Sequence, residues 1–194
     1  MTIIGVLALQ GAFTKHMSML ESIGVHAVDV RKPQDLDACQ GLIIPGGEST
    51  TMMRQIDFIH LTDPLKEFAR QKPLFGTCAG LILMSTEIIA DEMLPFGILD
   101  VAVERNAFGR QYESFNVNLS VRLTANPELV PAVFIRAPRI RHCGADVQVL
   151  ASYSGEPVLV QQGFHLGATF HPELTHSIAI HKHFVNIVEH NKKQ

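Results

Sequence analysis

Apolar and polar positions follow two different rhythms along the first half of the chain. Short apolar runs at residues 3–9, 26–30, 42–44 and 74–75 have the length and composition of buried strands. Between them Phe13, Met17, Leu20 and Ile23 recur at helical spacing, which predicts an amphipathic helix over 13–23. Ser49-Thr50-Thr51 predicts the cap of a further helix. Asp63-Pro64 predicts the start of another, with a cap residue and a proline at its first position. Strands that alternate with helices form a mostly parallel sheet covered on both faces.

From about Val101 the pattern turns β-rich. Residues 115–123, 133–135, 147–153 and 157–162 carry alternating or β-branched side chains, punctuated by Asn126-Pro127, Gly144 and Ser154-Gly155. Residues 168–170 read as one more short strand. Residues 177–190 read as a closing helix with Ile180, Phe184, Ile187 and Val188 on one side. The pattern predicts an α/β fold, a mostly parallel central sheet flanked by helices with β-rich additions in the second half. The 194 residues contain no repeat, low-complexity tract or long linker, so one domain over residues 1–194 is expected.

Composition narrows the function classes. With 46% apolar and 18% charged residues the chain is ordinary for a globular protein and unlike a disordered one. A net charge of −3 gives no electrostatic footprint for nucleic acid or an anionic membrane, and neither is expected as a partner. The apolar opening is short and lacks a basic region before it, so a first strand explains it better than a signal peptide. No stretch approaches the length that spans a bilayer. Three widely spaced cysteines, Cys39, Cys78 and Cys143, favour reduced thiols and a cytoplasmic location.

One of those cysteines has a distinctive setting. In Gly76-Thr77-Cys78-Ala79-Gly80 the cysteine falls between an apolar strand ending at Phe75 and a helix that continues through Leu81, Ile82 and Met84. Small residues allow a tight strand-to-helix turn that projects a nucleophile at a helix N-terminus, where the local field favours a thiolate. By itself the turn fits a buried structural cysteine as well. Far downstream, His171-Pro172-Glu173 supplies what a nucleophilic thiol needs, an imidazole to accept its proton and a carboxylate to fix the tautomer. His171 alone could be a capping or core histidine. Most of the other nine histidines read as solvated surface, with His176, His181 and His183 as an exposed cluster, and no closed tetrahedral set predicts a metal site. Pro45-Gly46-Gly47-Glu48 ends a strand with consecutive glycines. Their N–H groups, Gly47 in particular, can join the N–H of Ala79 in stabilising an oxyanion. Nucleotide-binding glycine patterns are missing from this segment and from the first strand.

These segments together resemble the class I glutamine amidotransferases, and within them the glutaminase subunits of two-component pyridoxal 5′-phosphate synthases. The resemblance is carried by Gly5-Val6-Leu7-Ala8-Leu9-Gln10-Gly11, Pro45-Gly46-Gly47-Glu48-Ser49-Thr50-Thr51 and Phe75-Gly76-Thr77-Cys78-Ala79-Gly80-Leu81. It continues through Arg105-Asn106-Ala107-Phe108-Gly109-Arg110-Gln111, Phe134-Ile135-Arg136-Ala137-Pro138 and Phe170-His171-Pro172-Glu173-Leu174. It implies a three-layer amidotransferase fold in which Cys78, with His171 and Glu173, attacks the side-chain amide of L-glutamine and passes through a γ-glutamyl thioester to glutamate and ammonia. It further implies glutamine contacts at Gly46, Gly47, Glu48, Arg105, Ile135 and Arg136. Arg and Glu side chains supply the charges that an α-carboxylate and an α-ammonium require. The implied partner is the synthase subunit that consumes the ammonia, with Gln10-Gly11 as a contact. The chain has no phosphate-binding or cofactor-lysine motif, so no cofactor is expected on it. A cysteine amidase or peptidase on the same sheet would share the elbow and differ in substrate. A non-catalytic binding domain would typically lack the full Cys, His and Glu set.

Overall fold

The computed structural model describes residues 2–105 and 114–192. Its elements, in chain order, are β1 (Ile3–Leu7), α1 (Phe13–Ser22), β2 (His26–Val30), β3 (Gly41–Ile44), α2 (Ser49–Phe58) and α3 (Thr62–Gln71). The elbow segment follows as β4 (Leu74–Thr77) and α4 (Ala79–Met84). Then come β5 (Ser85–Ile88), β6 (Leu99–Glu104), β7 (Ser114–Val121), β8 (Glu128–Ile135) and β9 (Arg139–Cys143). The chain closes with β10 (Gln148–Tyr153), β11 (Glu156–Gln162), β12 (His165–Ala168) and α5 (Ala179–Asn191).

The main sheet has seven strands in the order β10-β11-β12-β4-β3-β1-β2. Its pairs β12–β4, β4–β3, β3–β1 and β1–β2 are parallel, and β10 and β11 extend it antiparallel. Buried on both faces, the parallel strands need continuous apolar runs, and alternate residues serve opposite sides. Leu42, Ile44 and Leu74 face a core shared with α2, α3 and α4, through Met52, Ile56, Leu65, Phe68 and Leu81. Ile43 and Phe75 face the other core, shared with α1 and α5 through Leu20, Ile180, Phe184 and Val188. A one-residue slip would exchange these two sets, so register is strongly specified.

The β-rich additions form two small sheets, β5-β6-β9 and the β7-β8 hairpin. The first buries Ile88, Leu99, Val101, Val103 and Ile140 on the α2–α4 side. The hairpin buries Leu119, Val121, Val130, Ala132 and Phe134 on the α1–α5 side. Strands β5, β6 and β9 lack clean alternation in the sequence and were not anticipated as three strands of one sheet. Two expected helix starts also move. α3 begins at Thr62, so Pro64 occupies the third helical position, where its missing N–H still costs no intrahelical bond. The cap of α2 is Glu48 rather than the Ser49-Thr50-Thr51 run. Its carboxylate accepts from the N–H groups of Thr50 and Thr51 at 3.2 and 2.7 Å.

The histidine reading needs correction. His16 and His181 are fully buried, in the interior between α1, α5 and the sheet. They occupy helix positions that face the sheet, and polarity alone made them look solvent-facing.

Candidate active site

Parallel strands end on the same side of the sheet, and their carboxyl ends are where open α/β folds place ligands. The loops after β1, β3 and β4 converge there. Cys78 occupies the turn between β4 and α4 with φ 50° and ψ −107°, a left-handed conformation that costs a non-glycine residue on the order of 1–3 kcal/mol. Two features hold it in place. The N–H of Cys78 donates to the Ala168 carbonyl of β12 at 2.8 Å. Gly80 lets α4 press against β3, for any Cβ there would collide with the Ile44 carbonyl oxygen. Cys78 is 7% exposed, and its Sγ lies 4.0 Å from the Ile135 carbonyl oxygen.

His171 follows β12 and is anchored through its N–H to the Val133 carbonyl of β8 at 2.8 Å. Its Nδ1 lies 2.8 Å from Glu173 Oε1, so the ring donates there and keeps Nε2 to exchange a proton with the neighbouring Cys78. Burial works against a charge on this imidazole. The Cys78 and Glu173 groups on either side outweigh it and push His171 up to about 10. For Glu173 burial again opposes the charge, but the His171 hydrogen bond and the neighbouring histidines hold the carboxyl below its usual range. The three groups form a line of thiol, imidazole and carboxylate. Burial raises the thiols of Cys39, to about 11, and of Cys143, above its usual value.

A cavity of about 420 Å³ opens beside Cys78 and His171. Gly46, Gly47, Glu48, Arg105, Ile135 and Arg136 all line it, so every residue expected to contact glutamine is brought together. Gly46 stands against the His171 ring, and a Cβ at that position would strike the imidazole carbon. The first helical residue of α4, Ala79, has no carbonyl one turn earlier to receive its N–H. Arg136 has a left-handed backbone, φ 42°, which turns the chain at the end of β8. Arg105 is held by Asp91 at 2.8 Å, Thr50 Oγ1 at 3.1 Å and Glu48 at 3.4 Å. Residues 106–111, which complete the Arg105 motif in the sequence, lie outside the described residues.

Ile82, Ser49 and Leu174 also line the cavity. Ser49 and Leu174 belong to the Pro45–Thr51 and Phe170–Leu174 segments, whereas Ile82 arrives one turn into α4 after Cys78, and nothing in its local sequence marks it. The Gln10 side chain also has a role within the chain. It clamps the loop after β3, accepting from Glu48 N–H at 3.1 Å and donating to the Glu48 carbonyl at 3.4 Å and to Gln55 at 3.1 Å.

A cysteine on a strained elbow, beside a histidine with a buried glutamate behind it, is the arrangement that thiol-dependent acyl transfer requires, and it stands here on a three-layer α/β sheet. Residues 6–190 match the family model described as the SNO glutamine amidotransferase family, and the chain belongs to that family. The chain is 47% identical over 195 residues to a Bacillus velezensis protein named Pyridoxal 5′-phosphate synthase subunit PdxT, covering 100% of this chain and 98% of that one. A protein of the same name from Desulforamulus reducens is 48% identical over 188 residues, 96% of this chain and 100% of the other. A solved structure titled as a glutamine amidotransferase superposes with a TM-score of 0.90 at 43% identity, over 96% of this chain and 98% of that one. Among the described residues no helix is long and apolar enough to cross a membrane.

Proposed function

We propose that residues 1–194 form one glutaminase domain that supplies ammonia to a pyridoxal 5′-phosphate synthase subunit. Glutamine enters the cavity with its α-carboxylate toward Arg105 and Arg136 and its α-ammonium toward Glu48. The Cys78 thiolate attacks the side-chain carbonyl carbon. Negative charge that develops on the oxygen falls to the N–H groups of Gly47 and Ala79, donors that need no reorganisation during the reaction. His171, protonated beside the thiolate, gives its proton to the departing nitrogen and ammonia leaves. Water then adds to the γ-glutamyl thioester as His171 accepts its proton, and glutamate is released with Cys78 restored. Glu173 keeps the imidazole in the tautomer that presents Nε2 to sulfur.

The observation that carries this reading is the Cys78–His171–Glu173 line opening onto a cavity edged by two arginines and a glutamate. Ammonia released to water would be protonated and lost to synthesis. A productive subunit therefore works docked, and we place the synthase contact beside the Gln10-clamped loop, whose adjacent glycines a partner can order. The cytoplasm, with its reduced thiols, suits a nucleophilic cysteine. Glutamate release from the chain alone, and then with the synthase subunit added, tests the proposal. Hydrolysis rising on addition and abolished in Cys78→Ala supports it. Full activity alone, unchanged by saturating synthase, refutes the coupling, and activity in Cys78→Ala refutes the chemistry.

A further inference from the structure

Behind Glu173 lies a second pair of histidines that the reaction above does not use. His16 of α1 and His181 of α5 are completely enclosed, with His16 Nδ1 2.9 Å from His181 Nε2. The other His16 nitrogen, Nε2, lies 3.3 Å from Glu173 Oε2 and 3.4 Å from Thr77 Oγ1. The His16 ring is set edge-on to Phe75 at 6.4 Å. Burial lowers His16 to about 4 and His181 to about 3, against the opposing pull of the Glu173 charge, so both rings are neutral near pH 7. The titratable groups that face this cluster are Cys78 at the elbow, His171 and Glu173 after β12, His16 on α1 and His181 on α5. Among the described residues no group of three or more His, Cys, Asp or Glu is arranged to hold a metal ion.

Neutral imidazole carries one N–H and one lone pair, so a single proton lies between His16 and His181. Were it on His16 Nδ1, the Nε2 lone pair would face a buried carboxylate, and the N–H of His181 Nδ1 would be buried with no acceptor. Placed on His181 Nε2, it leaves His16 Nε2–H directed toward Glu173. The residual orphan is then a bare lone pair on His181 Nδ1, less costly than an orphaned N–H. Among the described residues the enclosed side-chain polar atoms with no hydrogen-bond partner are His181 Nδ1 and Glu173 Oε2, the latter 3.3 Å from His16 Nε2. The second assignment gives the first atom its cheaper form and brings a proton to the second.

We propose that His16 is a positioning residue for the glutaminase reaction. Held as the Nε2–H tautomer by the hydrogen bond it accepts from His181, it supplies a donor to Glu173 Oε2 while His171 occupies Oε1. The carboxylate thereby stays ionised and keeps a fixed orientation toward His171. The inference rests on the reading of Cys78, His171 and Glu173 as the reacting unit. His16 does not line the cavity, so its effect falls on turnover and not on glutamine binding.

Two measurements test it on the full chain. Imidazole ¹⁵N correlation spectra of the wild type near pH 7 should show His16 and His181 both neutral and both protonated at Nε2. His16 found as the Nδ1–H tautomer or as an imidazolium overturns the proposal. In glutamine hydrolysis with the synthase subunit present, His16→Leu should lower kcat about tenfold and raise the acidic limb of its pH profile by about one unit, with KM nearly unchanged, the size expected for one lost hydrogen bond to a charged group. His16→Gln, whose amide can place an N–H near the Nε2 position, should recover most of that kcat. Wild-type kcat and pH profile in a folded His16→Leu, or a His16→Gln that shows the full loss, overturns the proposal, and should His16→Leu not fold, His16→Gln and the spectra decide. A wild type that hydrolyses no glutamine, with the tautomers as assigned, puts the failure in the reading of the reaction instead.

Discussion

The two ends of the active site are built differently. At the chemical end, Cys78, His171 and Glu173 are each under 10% exposed, and Cys78 and His171 are pinned by backbone hydrogen bonds to Ala168 and Val133. At the recognition end, Arg136 is exposed, and Arg105 and Glu48 already face each other, with Asp91 as a third member. Buried groups fixed by strands keep their geometry before substrate arrives, as an acyl-transfer unit requires. The rim charges must instead exchange protein partners for substrate charges, so each contributes only the difference between the two. On the proposed reaction, chemistry resides in the rigid part and affinity in the adjustable part.

The sharpest way to break this contrast is at sulfur. Cys78→Ala should reduce glutamine turnover by at least about a thousandfold, since covalent units lose nearly all activity with their nucleophile. Cys39→Ala and Cys143→Ala should leave most of it, because burial keeps both thiols protonated at neutral pH. His171→Asn should approach the Cys78 loss, and Glu173→Gln should fall at or below it, as members of one unit are not additive. These are kcat effects, read from steady-state kinetics with synthase present.

Variants at the rim should behave in the opposite way. Arg105→Ala should raise KM for glutamine by about tenfold with kcat largely kept, the signature of lost uniform binding. Asp91→Ala should change KM by less than about threefold, because it removes a competitor for Arg105 and a support for it together. A large kcat loss in Arg105→Ala would erase the distinction between the two ends.

Acid should find the rigid interior first. His16 and His165 are lowered to about 4 and His181 to about 3, in each case chiefly by burial. The folded protein thus binds fewer protons than the unfolded chain, whose histidines titrate near 6.5. Stability from these groups is complete above pH 6.5 and drains away as pH falls toward 4, on the order of 3 kcal/mol apiece. Against a total of about 5–15 kcal/mol, the midpoint of urea unfolding should drop steeply between pH 6.5 and 4.5. A midpoint flat across that interval would contradict the buried neutral assignment.

Strands β1 to β4, helices α1 and α5 and the elbow were legible because a parallel sheet buried on both faces writes unbroken apolar runs, and its helices write a stripe at 3.6-residue spacing. The Cys78 turn and the His171-Pro172-Glu173 segment stood out for a different reason, since each is ambiguous alone and the two acquire a common use only when read together. His16 and His181 did not. A histidine looks polar in sequence whether it faces water or another ring, and their pairing spans 165 residues. Glu48 was legible as a pocket residue but not as the cap of α2, because its carboxylate does locally what the Ser49-Thr50-Thr51 hydroxyls next to it were expected to do. The β5-β6-β9 sheet escaped because irregular register breaks its alternation between Ser85 and Glu87 and between Ala102 and Val103.

The central claim is that Cys78 alone carries the acyl group during turnover. Rapid acid quenching of the full chain turning over glutamine with the synthase subunit, followed by peptide mass mapping, reads this directly. The account predicts a γ-glutamyl adduct on the peptide that contains Cys78, present in the steady state and lost once glutamine is exhausted, with Cys39 and Cys143 unmodified. Glutamate formed at the normal rate in Cys78→Ala, or an adduct that maps to either of the other cysteines, would contradict it.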